Sequence, residues 1–78
     1  MPKLPQIKGR DLVRAMECDG FEVVRIKGSH HILQKVFSDG ERVTIPIPVH
    51  AGHNIKRGTL SGILRKAQIS RERLVKLL

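Results

Sequence analysis

The sequence predicts an α+β fold of order α-β-β-β-α with a short further helix at the end, and three observations carry it. Apolar residues recur at spacings of three and four before residue 20 and again after residue 58. Between those stretches lie three short runs rich in β-branched residues. The runs are separated by two turn signals, Lys27-Gly28-Ser29 and Ser38-Asp39-Gly40, which reverse the chain.

Residues 1–8 carry two prolines and read as an extended lead-in. A helix is predicted from Arg10 to Asp19, with Gly9 as its N-cap, Asp11 at the positive end of the dipole and Gly20 as its stop. Leu12, Val13, Ala15 and Met16 form its inward stripe, and Cys18 packs at its end. Phe21–Ile26 is the first strand and residues 30–37 the second. On the second, His30, Ile32, Gln34 and Val36 share one face, while His31, Leu33, Lys35 and Phe37 share the other. The two adjacent histidines therefore point in opposite directions. Arg42–Ile47 is the third strand, with Pro46 and Pro48 marking its end. Residues 48–57 are a loop. A second helix is predicted from Gly58 to Gln68, capped by Thr59, with Leu60, Ile63, Leu64 and Ala67 inward. Ser70 caps a last short helix whose apolar positions are Leu74, Val75, Leu77 and Leu78.

A chain of 78 residues makes one domain with a small core, so a shallow site facing a large partner is expected rather than a deep small-molecule pocket. One cysteine excludes an intrachain disulfide framework and fits a reducing compartment. The segment Met1-Pro2-Lys3-Leu4-Pro5 has no apolar core behind its charge, and no run is long enough to span a bilayer; a cytoplasmic protein without membrane partners is expected. Fifteen Lys and Arg against seven Asp and Glu give a net charge of +8, the footprint of a polyanion binder or of a protein with an acidic partner. With two Phe, both assigned to the core, and no Tyr or Trp, base stacking on aromatic platforms is disfavoured and backbone-directed binding is expected.

The stretch Lys27-Gly28-Ser29-His30-His31 concentrates chemistry between two strands. Histidine exchanges a proton near neutral pH, glycine permits close approach or a positive φ, and serine adds a small donor and acceptor. From the residues alone, His30 reads equally well as a proton-transfer group or as an exposed hairpin histidine of no consequence. His31, on the other face, reads as a residue that packs or hydrogen-bonds.

The chain resembles the HicA toxins, also called the YcfA-like family, of bacterial and archaeal toxin–antitoxin pairs. The resemblance rests on Gly9-Arg10-Asp11-Leu12-Val13-Arg14-Ala15 leading to Asp19-Gly20-Phe21, and on Arg25-Ile26-Lys27-Gly28-Ser29-His30. It continues through Val43-Thr44-Ile45-Pro46-Ile47-Pro48-Val49-His50 and Arg57-Gly58-Thr59-Leu60 with Ile63-Leu64, in that order along nearly the whole chain. It implies a fold similar to a double-stranded-RNA-binding domain, with three antiparallel strands and helices on one face. It also implies a ribonuclease that cuts mRNA and arrests translation, and neutralisation by a HicB-type antitoxin. The family's catalytic histidine follows Gly-Ser, which here is His30; its frequent non-histidine residue after that position argues against an essential role for His31.

Cutting RNA requires no metal and no cofactor, because the 2′-hydroxyl is an internal nucleophile, and DNA, which lacks it, is not an expected substrate or partner. His30 is assigned general acid/base chemistry and Lys27 a phosphate contact, with Arg25, Ser29 and the Gly28 amide beside them. His50 and His53 both read as solvated loop histidines, His50 being the better helper because it matches the family pattern. Neither has the cysteine or paired carboxylate that would make the loop a metal site. The second proton-transfer group stays open among His50, His31, Lys27 and water. Lys56, Arg57, Arg65 and Lys66 are candidate contacts for RNA phosphates or an acidic antitoxin surface. Two other readings stay open: a non-catalytic RNA-binding module, and a degenerate toxin that acts only through its antitoxin interface.

Overall fold

A computed structural model describes residues 4–78. Its elements are α1 (Gly9–Cys18), β1 (Glu22–Lys27), β2 (His30–Val36), β3 (Arg42–Pro48), α2 (Arg57–Ala67) and α3 (Arg71–Leu77), the predicted order. The strands form one antiparallel sheet in the order β1-β2-β3. Leu33, Val43, Ile45 and Ile47 project from one face into a core shared with Leu12 and Met16 of α1 and Leu60 and Leu64 of α2. With the helices on that face, the opposite face of the sheet stays open. This is the α-β-β-β-α arrangement of a double-stranded-RNA-binding domain. The first three residues of the predicted lead-in lie outside the described residues; of the rest, Ile7 is buried and its carbonyl accepts from the Ile55 amide at 2.9 Å.

Both ends of α1 are fixed by glycine, for different reasons. Gly9 is the first helical residue, not the N-cap; that place belongs to Lys8, whose side chain makes no capping bond. A Cβ on Gly9 would overlap the Pro48 carbonyl oxygen and lie 2.9 Å from the Val49 Cα, so its lack of a side chain lets α1 start against the end of β3. At the other end Gly20 takes φ +109°, the Gly20 amide donates to the Glu17 carbonyl at 3.1 Å and the Phe21 amide to the Met16 carbonyl at 2.9 Å. That pair of bonds is a Schellman cap, and it turns Phe21 inward rather than into β1, which begins at Glu22. Cys18 is exposed, contrary to the packing role expected of it.

The alternation along β2 is as predicted. Leu33 is fully buried on the helix side, while His30 and Val36 are exposed on the open side. Pro46 and Pro48 lie within β3 rather than beyond it, opposite Ile32 and His30. They alternate with the buried Ile45 and Ile47, so both show their rings on the open face. The edge position of β3 tolerates them, since two prolines two residues apart both direct their missing N–H away from β2.

α2 starts at Arg57 after Lys56 as N-cap, so Thr59 is a residue of the first turn and not the cap. Its inward stripe is Leu60, Ile63, Leu64 and Ala67, as expected. Ser70 does cap α3, its Oγ accepting from the Arg73 amide at 3.0 Å. Only Leu74 of the predicted α3 stripe is buried; Leu77 packs partly, and Val75 and Leu78 are exposed. Asp19 ties three elements together. Its carboxylate accepts from Lys35 Nζ at 3.1 Å and from Arg73 Nε and Nη2 at 3.2 Å. The Lys35 ammonium also stands over the Phe21 and Phe37 rings, at 5.5 and 5.1 Å from their centroids.

Candidate active site

The Gly28-Ser29 pair is a two-residue hairpin loop between Lys27 and His30, which are partners across the sheet. Gly28 has φ +60° and Ser29 does not share a positive φ, the pattern of a type II′ turn whose twist suits a hairpin. A Cβ on Gly28 would meet nothing within 4 Å, so the glycine serves the turn's backbone and leaves the space above the turn clear. The register then puts Lys27, His30 and Pro48 in one row of the open face, and Arg25, Ile32 and Pro46 in the next. His30, Lys27 and Arg25 are all exposed. An imidazole with two cations beside it on an unobstructed face is accessible to an extended polyanion.

At His30 the open face adjoins a groove of about 640 Å³ at the β3 edge, lined by His30, Pro46, Pro48, His50, His53 and Lys56. Asn54, Ile55 and Thr59 complete the lining. Two backbone features build it. The Val49 amide donates to the Ser29 carbonyl at 2.6 Å, fastening the segment before His50 to the segment before His30. The His53 amide donates to the His50 carbonyl at 3.1 Å with Gly52 at φ +78°, a type II turn over His50-Ala51-Gly52-His53. That turn brings the two imidazoles to 6.4 Å between centroids, nearly perpendicular. The loop is further anchored by a bridge between Lys8 and Asn54 and by the burial of Ile55.

The predicted site residues therefore divide. Arg25, Lys27, Gly28, Ser29 and His30 lie together on the hairpin, and His50 joins His30 in the groove. His53, read from sequence as a solvated loop histidine, lines the same groove; the signal for it was the glycine two residues after His50, which closes the turn. Lys56 lines the groove and Arg57 follows it at the start of α2. Arg65 and Lys66 stand in the last turn of α2, about 14–15 Å along the axis from Lys56 by helix rise. They are not part of the groove, and their charges face the negative end of their own helix. His31 projects toward the helices, opposite Ile26 and Ile47, the face expected of it; its Nδ1 is buried without a hydrogen-bond partner, so of packing and hydrogen bonding this nitrogen does only the first.

Among the described residues no three His, Cys, Asp or Glu side chains are grouped as a metal ion would require. No helix among the described residues is long and apolar enough to cross a membrane.

Fold and groove define a class: a small basic α+β protein with the element order of a double-stranded-RNA-binding domain and a histidine-lined groove beside its open sheet. Comparison with known families gives the particular one. The model of the HicA toxin of bacterial toxin–antitoxin systems matches residues 9–69, and the chain belongs to that family. No curated protein matches it. It is thus the toxin component of a toxin–antitoxin pair.

Proposed function

We propose that this toxin, as one HicA-like domain over residues 1–78, is a metal-independent endoribonuclease that cuts mRNA in the cytoplasm and so arrests translation. Its activity is held in check by a HicB-type antitoxin. The observation that carries this reading is the position of His30: exposed, opposite Lys27 on the open face, and sharing a groove with a second histidine, His50.

RNA carries its own nucleophile. One imidazole takes the proton of the 2′-hydroxyl, the 2′-oxygen forms a bond to phosphorus, and the bond from phosphorus to the 5′-oxygen breaks. A second imidazole supplies the proton the departing 5′-oxygen needs. His30 and His50 fill these two roles. Lys27 and Arg25 meet the negative charge that grows on the phosphate oxygens, and the Gly28-Ser29 turn lets the backbone approach without obstruction. Lys56 and Arg57 extend the cationic path along the strand of RNA beyond the groove. Arg65 and Lys66, lying apart, are better placed for the acidic surface of an antitoxin.

The test is induced expression of the wild type and of His30→Ala in a bacterial host, with total RNA examined from both. Wild type arrests growth and fragments mRNA. The variant, altered at an exposed position, folds, leaves RNA intact and restores growth. Equal cleavage by both proteins would remove His30 from the chemistry, and binding without cleavage by the wild type would favour a non-catalytic RNA-binding module.

A further inference from the structure

Beyond the phosphate chemistry, we propose that the groove beside His30 is a nucleobase subsite. It takes the base of a nucleotide flanking the scissile phosphate in single-stranded RNA, stacked on His53, with Asn54 and Thr59 at its hydrogen-bonding edge. This rests on the reading above only in placing the phosphate at His30.

A phosphodiester by itself needs cations and small donors, which the hairpin already supplies through Lys27, Arg25 and the Gly28-Ser29 turn. It has no use for a groove walled by the rings of Pro46 and Pro48. A flat, partly apolar heterocycle does. The groove, at about 640 Å³, is of the size that holds small planar ligands. Sequence-specific recognition of RNA generally targets single strands, whose splayed bases stack on aromatic faces, imidazole included, and are read along their edges.

The molecule has few other faces on which a base could stack. It has no Trp or Tyr; Phe21 is buried, and Phe37 is packed against the core beneath the Lys35 ammonium. His31 has its Nδ1 buried on the helix side. Among the described residues the exposed aromatic rings are those of His30, His50 and His53, and all three line this one groove. The perpendicular setting of His50 and His53 lets one imidazole lie flat under a base while the other addresses the phosphate side. Asn54 brings both a donor and an acceptor to the rim, and Thr59 a hydroxyl that can be either, which is the equipment needed to tell one base edge from another. Base stacking, disfavoured by the sequence for want of free Phe, Tyr and Trp, thereby finds its ring in histidine.

The test reads binding, so that it does not depend on cleavage. Short 2′-O-methyl oligonucleotides of A, C, G or U, which lack the free 2′-hydroxyl, are titrated into the full chain while amide and imidazole NMR signals are followed. The expected result is a clear preference among the four, with the largest shifts at His53, Asn54 and Thr59. His53→Ala should weaken the preferred oligonucleotide about tenfold, the usual effect of losing one stacking ring. The double variant Asn54→Ala/Thr59→Val should level the four affinities while retaining binding. Equal affinities for all four in the wild type, or shifts confined to Arg25 and Lys27, would overturn the subsite. Selective binding by a wild type that leaves unmodified RNA uncut would uphold it and defeat the nuclease reading instead.

Discussion

Gly52 shapes the site without contributing a single functional atom. Its positive φ closes the turn that sets His50 and His53 face to edge, so a backbone property decides which side chains meet. His31 shows the converse, a reactive residue type turned to the helix side of the sheet, away from His30. Its Nδ1 is buried and lacks a hydrogen-bond partner, so that nitrogen loses its hydration with no bond in return. We therefore expect His31→Phe to leave stability within about 1 kcal/mol of wild type, or to raise it, and to leave RNA cleavage intact. Urea denaturation and a cleavage assay check this; loss of cleavage in a folded variant would return His31 to the site. Strand alternation made the separation of His30 from His31 legible in the sequence, because period two is rigid. The membership of His53 was not legible in the same way. It depends on a turn and on the Val49–Ser29 hydrogen bond, which joins residues twenty apart.

Helix ends are where the elements depart most from sequence expectation. Gly9 and Thr59 both have residue types suited to capping, yet both fall inside their helices, and the N-caps are the lysines before α1 and α2. For Gly9 the deciding factor is tertiary: the space a Cβ would need is taken by the backbone of Pro48 and Val49. Helix propensity alone predicts that Gly9→Ala would stabilise by about 1 kcal/mol. The close approach predicts the opposite sign, a loss of about 1–3 kcal/mol, since backbone rather than a flexible side chain must move. The urea midpoint distinguishes them. At the end of α2, Gln68 occupies the left-handed region at φ 59°, in the place Gly20 holds after α1. Relieving that conformation is worth about 1–2 kcal/mol, and the greater freedom of an unfolded glycine returns about 0.4–1 kcal/mol. Gln68→Gly should then stabilise by about 0.5–1 kcal/mol. An unchanged or lower melting temperature would show that the Gln68 side chain contributes more than its backbone strain removes. The inward stripes of α1 and α2 needed no such correction, because their spacing of three and four reports the core directly.

At the scale of the whole molecule, the fold separates two jobs. One face of the sheet is spent on the core with the helices, and the other is left open with Arg25, Lys27 and Arg42 along it and His30 at its corner. A net charge of +8 on 78 residues favours a polyanionic partner, and in the proposed function the groove at the β3 edge is where His30 and His50 would exchange protons with it. Charge and element order were open to reading from composition and pattern. The meeting of three histidines in one groove was not, since it is assembled from β2, β3 and a loop. In the proposed mechanism the His30 and His50 imidazoles drive attack by the RNA's own 2′-hydroxyl. The direct measurement is the chemistry of the fragment ends, after the purified protein has cut a defined single-stranded RNA in the presence of a metal chelator. Cleavage yielding 2′,3′-cyclic phosphates and 5′-hydroxyls is the predicted result, and cleavage that stops on chelation, or fragments bearing 3′-hydroxyls and 5′-phosphates, would contradict it.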